Sequence, residues 1–86
     1  MSYQLVAEGI GQASESHEEA AEELADEYLR RHHMDIEDAY KAYQAYQRDP
    51  NSDNGKVWSQ LEAYANQVLY GEMYQDSHIS LEVMLD

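Results

Sequence analysis

The most constraining feature of this chain is an acidic segment that has to lie on the protein surface. Seven carboxylates fall within residues 15–27, and Arg30 and Arg31 follow them. Read as an α-helix that rises about 1.5 Å per residue, the segment carries one negative charge roughly every 3 Å of its axis. Duplex DNA carries one per about 1.7 Å, so the charge density resembles that of a phosphate backbone. The seven are Glu15, Glu18, Glu19, Glu22, Glu23, Asp26 and Glu27.

Composition predicts one small domain, 1–86, with a thin core. The chain has 86 residues, and 43% of them are hydrophobic, but alanine and eight tyrosines supply much of that fraction. Phenylalanine is absent, and Trp58 is the one tryptophan. A chain of this length buries about 60% of its unfolded surface. We therefore expect marginal stability, and association with a second copy or with a partner would help to bury the core.

The acidic segment also has an apolar side, which predicts a two-faced helix over about 14–33. Ser16 followed by Glu19 matches a capping box, and Ser14 is the other N-cap candidate. The apolar side gathers Ala20, Ala21, Leu24, Ala25, Tyr28 and His32. The opposite side holds a narrow stripe of Glu15, Glu19, Glu22 and Asp26, flanked by Glu18, Glu23 and Glu27.

Two more helices are predicted, over about 35–49 and 56–71. Asp35 and Asp38 form a second capping pair, and the following apolar positions give the helix a tyrosine face of Tyr40, Tyr43 and Tyr46. Residues 50–55 are rich in turn formers, and Asp53 or Asn54 is expected to cap the third helix. Its apolar stripe, which ends before Gly71, consists of Val57, Trp58, Leu61, Tyr64, Ala65, Val68 and Leu69.

The two ends of the chain alternate apolar and polar residues. Ile79, Leu81, Val83 and Leu85 recur at every second position, as in a strand, and Tyr3, Leu5 and Ala7 supply a possible partner strand. The same C-terminal residues also suit a short helix, because Leu, Glu and Met are good helix formers. We therefore expect a mainly α fold, a compact three-helix bundle with short terminal strands possible, and an α+β arrangement as the alternative.

Charge repulsion within the acidic segment suggests that its carboxylates serve a purpose. Five like-charge pairs stand at i,i+4, and each costs about 0.2 to 0.5 kcal/mol. Charge on the outside of an amphipathic helix is ordinary, and this is the alternative interpretation. Since a marginal domain tolerates roughly 1 to 2 kcal/mol of repulsion, we interpret the segment as a functional acidic surface. Asp35, Glu37 and Asp38 are the candidates for extending this acidic surface.

Several classes of function are disfavoured. The net charge of −13 repels nucleic acid and anionic membranes, and no apolar run is long enough to span a membrane. Cysteine is absent, and no catalytic motif stands out, so an enzyme, a metal site and a cofactor are not expected. The four histidines are spread along the chain: His17, His32, His33 and His78. We expect a cytoplasmic protein.

The loop before the third helix resembles a calcium loop of the EF-hand type. Asp49, Asn51 and Asp53 occupy the first, third and fifth positions between two helices. Gly55 arrives one residue late, however, and Gln60 stands where a bidentate glutamate should close the shell. A polar turn ending in Asn-Gly is the preferred interpretation.

Taken together, size, acidity, the carboxylate stripe and tyrosine content resemble a class of small inhibitors. Phages and mobile elements make such proteins against host nucleic-acid enzymes, and the anti-restriction and anti-CRISPR DNA mimics are known examples. The resemblance is one of class and rests on composition and on residues 15–27. It implies a viral protein that works in the host cytoplasm, whose carboxylates replace phosphates in a Lys/Arg groove of a basic partner. A homodimer is also possible.

Two other functions fit the same sequence. One is a protein interaction or adaptor module that docks through Tyr40, Tyr43 and Tyr46, with acidity serving solubility. The other is a salt-adapted bundle whose acidity is a matter of composition alone.

Overall fold

Three helices pack on one face of a two-stranded sheet that the two ends of the chain form together. The computed structural model describes residues 2–71 and 77–86. The elements are β1 (Tyr3–Gly11), α1 (Glu15–Arg31), α2 (Ile36–Arg48), α3 (Asp53–Tyr70) and β2 (Ser77–Leu85). The α+β alternative therefore describes the fold better than a pure three-helix bundle, because the sheet supplies two of the four largest fully buried side chains, Ile79 and Leu81.

The terminal strands confirm the alternation found in the sequence. β1 and β2 pair antiparallel, with Leu5 opposite Val83 and Ala7 opposite Leu81. Successive side chains of a strand point to opposite faces, so one face of the sheet carries the apolar residues. On that face Ile79, Leu81 and Val83 are buried. The helix interpretation of the C-terminal residues is wrong, because every second residue of β2 is buried, as in a strand and not as in a helix.

The core is thin, as the composition predicted. The largest fully buried side chains are Trp58 and Leu61 of α3 and Ile79 and Leu81 of β2. Around these four, the helices contribute mostly alanines, whose small side chains let neighbouring elements approach closely. The buried alanines are Ala7, Ala21, Ala25, Ala39, Ala42 and Ala65.

Helix starts follow the capping rules, with one correction in α1. The N-cap of α1 is Ser14, whose Oγ accepts a hydrogen bond from the His17 N–H at 3.3 Å. Ser16 lies in the first turn and its Oγ is 3.0 Å from that of Ser14, so the predicted capping box of Ser16 and Glu19 is wrong. At α2 the predicted box is confirmed, because Asp35 and Asp38 exchange hydrogen bonds between side chains and backbone N–H groups.

The loop before α3 is a tight polar turn. Asp49 Oδ1 accepts the Asn51 N–H at 3.0 Å, and Ser52 Oγ accepts the Gly55 N–H at 3.1 Å. Ser52 is therefore the N-cap, which corrects the predicted cap at Asp53 or Asn54 and starts the helix three residues earlier than predicted. A Cβ on Gly55 would lie 2.6 Å from the Asp49 carbonyl oxygen, so this approach requires glycine. The segment is therefore a polar turn, but the turn ends at Ser52, and the Asn54-Gly55 pair that was predicted to end it lies in the first turn of α3.

Candidate partner-binding surface

The buried face of α1 is rotated relative to the face that the sequence predicted. Ala21 and Ala25 are buried as expected, but the third buried residue is Leu29, which the predicted apolar side did not include. The rotation brings two of the predicted phosphate surrogates, Glu18 and Glu22, against the edge of β1. Both side chains are half-buried as a result.

Glu18 and Glu22 accept hydrogen bonds from the backbone of β1. The Gly9 N–H donates to Glu18 Oε2 at 2.6 Å, and the Ala7 N–H donates to Glu22 Oε1 at 3.2 Å. These N–H groups lie on the outer edge of the strand, where no neighbouring strand supplies an acceptor. The two carboxylates therefore complete the hydrogen bonding of the sheet, and the net contribution of such bonds to charged groups is about 1.5 to 3 kcal/mol each.

The outer edge of β2 is completed in the same way by α3. The Leu81 N–H donates to Glu62 Oε2 at 2.9 Å, and the Ile79 N–H donates to Asn66 Oδ1 at 2.7 Å. Asn66 also donates from Nδ2 to the Ile79 carbonyl oxygen at 2.9 Å. Sequence reasoning did not assign a role to Glu62 or Asn66. The available signal was a pair of polar residues spaced i,i+4 along the apolar stripe of α3.

These four N–H groups belong to two alternate residue pairs of the ladder, which the pair Glu8–Ser80 separates. Ala7 stands opposite Leu81, and Gly9 stands opposite Ile79. In each pair, a side chain of α1 accepts the hydrogen bond from the β1 residue, and a side chain of α3 accepts the one from the β2 residue. The sheet is thus clamped between α1 and α3 by acceptors that come from outside the ladder.

Four carboxylates of α1 remain exposed, and we call them the acidic ridge: Glu15, Glu19, Glu23 and Asp26. Among the described residues, none of the four takes part in a hydrogen bond or an ion pair. The ridge runs for about 17 Å along the axis, with one charge per roughly 5.5 Å. One strand of DNA carries a phosphate per about 3.4 Å. The exposed ridge is therefore less densely charged than the whole segment suggested.

The last carboxylate of the segment, Glu27, is held by a cation. Its Oε1 lies 2.6 Å from Arg31 Nη2, a favourable i,i+4 ion pair. The corresponding i,i+4 pair between Asp26 and Arg30 does not form in the part of the chain that the structure describes. Asp26 therefore remains one of the four exposed carboxylates of the acidic ridge.

The predicted extension of the acidic track lies at the start of α2. Asp35, Glu37 and Asp38 are exposed, but the carboxylates of Asp35 and Asp38 are committed to the capping box. Arg30 and Arg31 stand between these residues and the ridge along the chain. Glu37 is thus the member of this group whose carboxylate has no partner among the described residues.

The tyrosines of α2 are partly buried and pack against the core. The Tyr40 ring lies 5.1 Å from the Tyr3 ring, and the Tyr43 ring lies 5.1 Å from Trp58. Tyr46 also packs half-buried against the core cluster. Tyr40 and Tyr43 nevertheless line a shallow groove of about 560 Å³ together with residues from the end of β2. The other residues of that groove are Gln44, Gln47, Arg48, Val83 and Leu85.

Tyr43 is expected to make stability sensitive to alkaline pH. Burial first, and then the Glu82 and Glu62 carboxylates, raise the pKa of Tyr43 above its ordinary value of 10.0. The folded state therefore holds this proton more tightly than the unfolded state, so the stabilisation is complete below pH 10 and is lost as the pH rises through the folded-state pKa. In urea titrations between pH 9 and 11, we expect Tyr43→Phe to lose less stability than the parent protein. Equal losses in the two proteins would contradict this assignment.

A second groove, of about 620 Å³, lies between α1 and α3, and we call it the α1–α3 groove. Its apolar lining is Ala20, Leu24, Val68 and Leu69, and its charged lining is Glu23, Asp26, Glu27 and Arg30. The sequence placed Val68 in the core stripe, yet the residue is 55% exposed. Val68 is thus an apolar side chain of the groove lining that remains accessible to solvent.

The histidines are dispersed. His17 Nδ1 lies 3.0 Å from the Tyr70 hydroxyl, His32 stacks on Tyr28, and His78 approaches Glu62 at 3.6 Å. Within residues 2–71 and 77–86, no three histidine, aspartate or glutamate side chains converge as ligands for a metal ion. The same part of the chain contains no helix that is long and apolar enough to cross a membrane.

Comparison with known proteins adds no relative to this description. No protein-family model matches the chain, and searches of curated proteins and of solved structures find no match either.

Proposed function

We propose that this protein is a non-enzymatic inhibitor that binds a basic, nucleic-acid-handling host protein through the acidic ridge. The observation that supports the proposal is that the carboxylates of α1 fall into two groups, which differ in whether they have partners within the fold. Glu18, Glu22 and Glu27 have partners within the fold, whereas the four ridge carboxylates are exposed and unpaired among the described residues. Such carboxylates are available to accept hydrogen bonds from Lys and Arg side chains of another protein.

The mechanism is competition for a surface that normally holds phosphates. A groove that binds nucleic acid presents cations along a line, and the ridge offers four carboxylates along about 17 Å of one rigid helix. The net charge of −13 would also attract the basic partner over distance and speed the encounter. For a phage-encoded protein, the place of action would be the host cytoplasm. The target is of the CRISPR or restriction type.

Affinity capture from a bacterial lysate tests the proposal. We expect the immobilised protein to retain nucleic-acid enzymes at about 50 mM salt and to release most of them at about 200 mM. Added duplex DNA should also elute them, because DNA and the ridge would compete for one groove. Retention that DNA and salt both leave unchanged would rule out phosphate mimicry.

A charge-matched pair of variants locates the binding surface. The triple variant Glu19→Lys, Glu23→Lys and Asp26→Lys reverses most of the ridge. The control reverses Glu8, Asp53 and Asp86, which are exposed acids outside α1. Each reversal adds two charges, so both proteins change from −13 to −7. We expect at least tenfold weaker capture for the ridge variant alone. Equal loss in both would show that net charge, and not the ridge, attracts the partner.

The groove beside Tyr40 and Tyr43 favours a second candidate function. In that case the protein would be an interaction or adaptor module that docks through an apolar and aromatic face. Substitution of exposed Leu85, which lines this groove, would then abolish capture, while ridge reversal would not. Capture that depends on Leu85 and is insensitive to salt would favour this function over the inhibitor.

A further inference from the structure

We propose that the α1–α3 groove is the docking site for a basic amphipathic helix of the partner. This inference deepens the proposed function and rests on it for the kind of partner. An aliphatic side chain of the incoming helix would pack on Leu24, Val68 and Leu69. Its flanking Lys or Arg side chains would pair with Glu23 and Asp26, which belong both to the ridge and to the groove.

Val68 is the side chain that requires explanation. It is 55% exposed, whereas the neighbouring Leu24 and Leu69 are half-buried against the core. Among the described helical residues, Val68 is the only large apolar side chain that is exposed. The other exposed ones, Ile10, Met84 and Leu85, lie on the strands. Val68 therefore places an exposed apolar side chain, which the fold itself does not bury, between α1 and α3.

Charge selects the occupant of the groove. The rim carries Glu23, Asp26 and Glu27 against the single cation Arg30. A second copy of this chain would bring its own net charge of −13 to the same place, and the like charges would repel. A basic segment would be attracted instead. The recognition mode, an apolar face laid in a groove with complementary charges at the rim, is one that amphipathic helices use.

The groove adds a component of binding that phosphate mimicry lacks. Carboxylates at the rim respond to salt, whereas contact with Val68 buries apolar surface and persists at higher salt. A partner that brings both features would be held in one register along α1. This would distinguish the inhibitor's target from other basic proteins, which offer charge alone.

Two synthetic peptides of equal charge test the groove. Each has about 18 residues, enough to form a helix, with lysines on one face. The other face carries leucines in the first peptide and serines in the second. We expect the protein to bind the leucine peptide at least tenfold more tightly, which is the gain from burying about one aliphatic side chain. Equal binding of the two peptides would overturn the proposal.

Matched variants assign that preference to the groove. Val68→Ser should remove the preference for leucine, while Ile10→Ser, at a residue of 52% exposure on β1, should keep it. Preference that survives in Val68→Ser would overturn the proposal. If ridge reversal abolishes binding of both peptides but no preference exists, the groove fails and the acidic ridge stands. If the preference holds but the lysate yields no nucleic-acid enzyme, the proposed function fails and the groove stands.

Discussion

Replacing Glu18 and Glu22 together with alanine is expected to lower the free energy of unfolding by about 2 to 4 kcal/mol. The change removes both acceptors from the outer edge of β1 and leaves the Gly9 and Ala7 N–H groups without them. Part of the loss is offset, because alanine favours the helix and two like-charge i,i+4 pairs, Glu18 with Glu22 and Glu22 with Asp26, disappear. Thermal unfolding followed by circular dichroism should show a lower midpoint, by about 4 to 8 °C per kcal/mol.

The neighbouring pair on the same helix provides the control. Glu19→Ala with Glu23→Ala removes the same charge at the same i,i+4 spacing, but these carboxylates have no partner in the described structure. We expect a change within about 0.5 kcal/mol, or slight stabilisation. Glu18→Gln with Glu22→Gln keeps both acceptors and should retain most of the stability. Equal destabilisation by the two alanine pairs would show that the hydrogen bonds to β1 contribute nothing.

Asn66→Ala is expected to lower the free energy of unfolding by about 2 to 4 kcal/mol. Asn66 bonds both the N–H and the carbonyl oxygen of Ile79, a residue with no exposed surface. Its removal leaves two polar groups of the buried strand without partners, and each unsatisfied group costs about 1 to 3 kcal/mol. For a domain whose total stability is about 5 to 15 kcal/mol, this loss should be plain in a urea titration.

Two comparisons make the Asn66 result interpretable. Gln67→Ala truncates the next side chain of α3, which is exposed, and should change stability by less than about 0.5 kcal/mol. Asn66→Asp keeps an acceptor for the Ile79 N–H but loses the donor to the carbonyl oxygen, so we expect an intermediate loss. If Asn66→Ala were as stable as Gln67→Ala, the clamp on β2 would not contribute to stability.

Local rules in the sequence predicted the elements of the fold. The capping pair of Asp35 and Asp38, the end of the third helix next to Gly71 and the alternation from Ile79 onward each depend on residues close together in the chain. Such patterns report local backbone structure directly. The helix boundaries were accurate to within about three residues for the same reason.

The orientation of α1 was beyond local rules. A helical wheel ranks sides by hydropathy, and on that basis Glu18 and Glu22 belong with the other carboxylates. The edge of β1 reverses this assignment, because its N–H groups require acceptors and α1 is the element that can supply them. The exposure of Val68 was missed for a similar reason, because its place in the apolar stripe of α3 predicts burial, whereas the structure leaves it in the groove between α1 and α3. Neither fact can be derived without the packing of distant segments.

The pairing of the two ends has a consequence for how the protein folds. The sheet joins the most distant parts of the described chain, and Ser2 and Asp86, which are 84 positions apart, are hydrogen-bonded. Contacts of such long range slow folding, because the entropy of closing the loop is lost before the contact is gained. The three helices can form early. Four of their side chains accept hydrogen bonds from strand N–H groups, and these bonds can form only after the strands have paired. The four are Glu18, Glu22, Glu62 and Asn66. Folding should therefore be a late, all-or-none closure, and a covalent link between the adjacent ends would accelerate it.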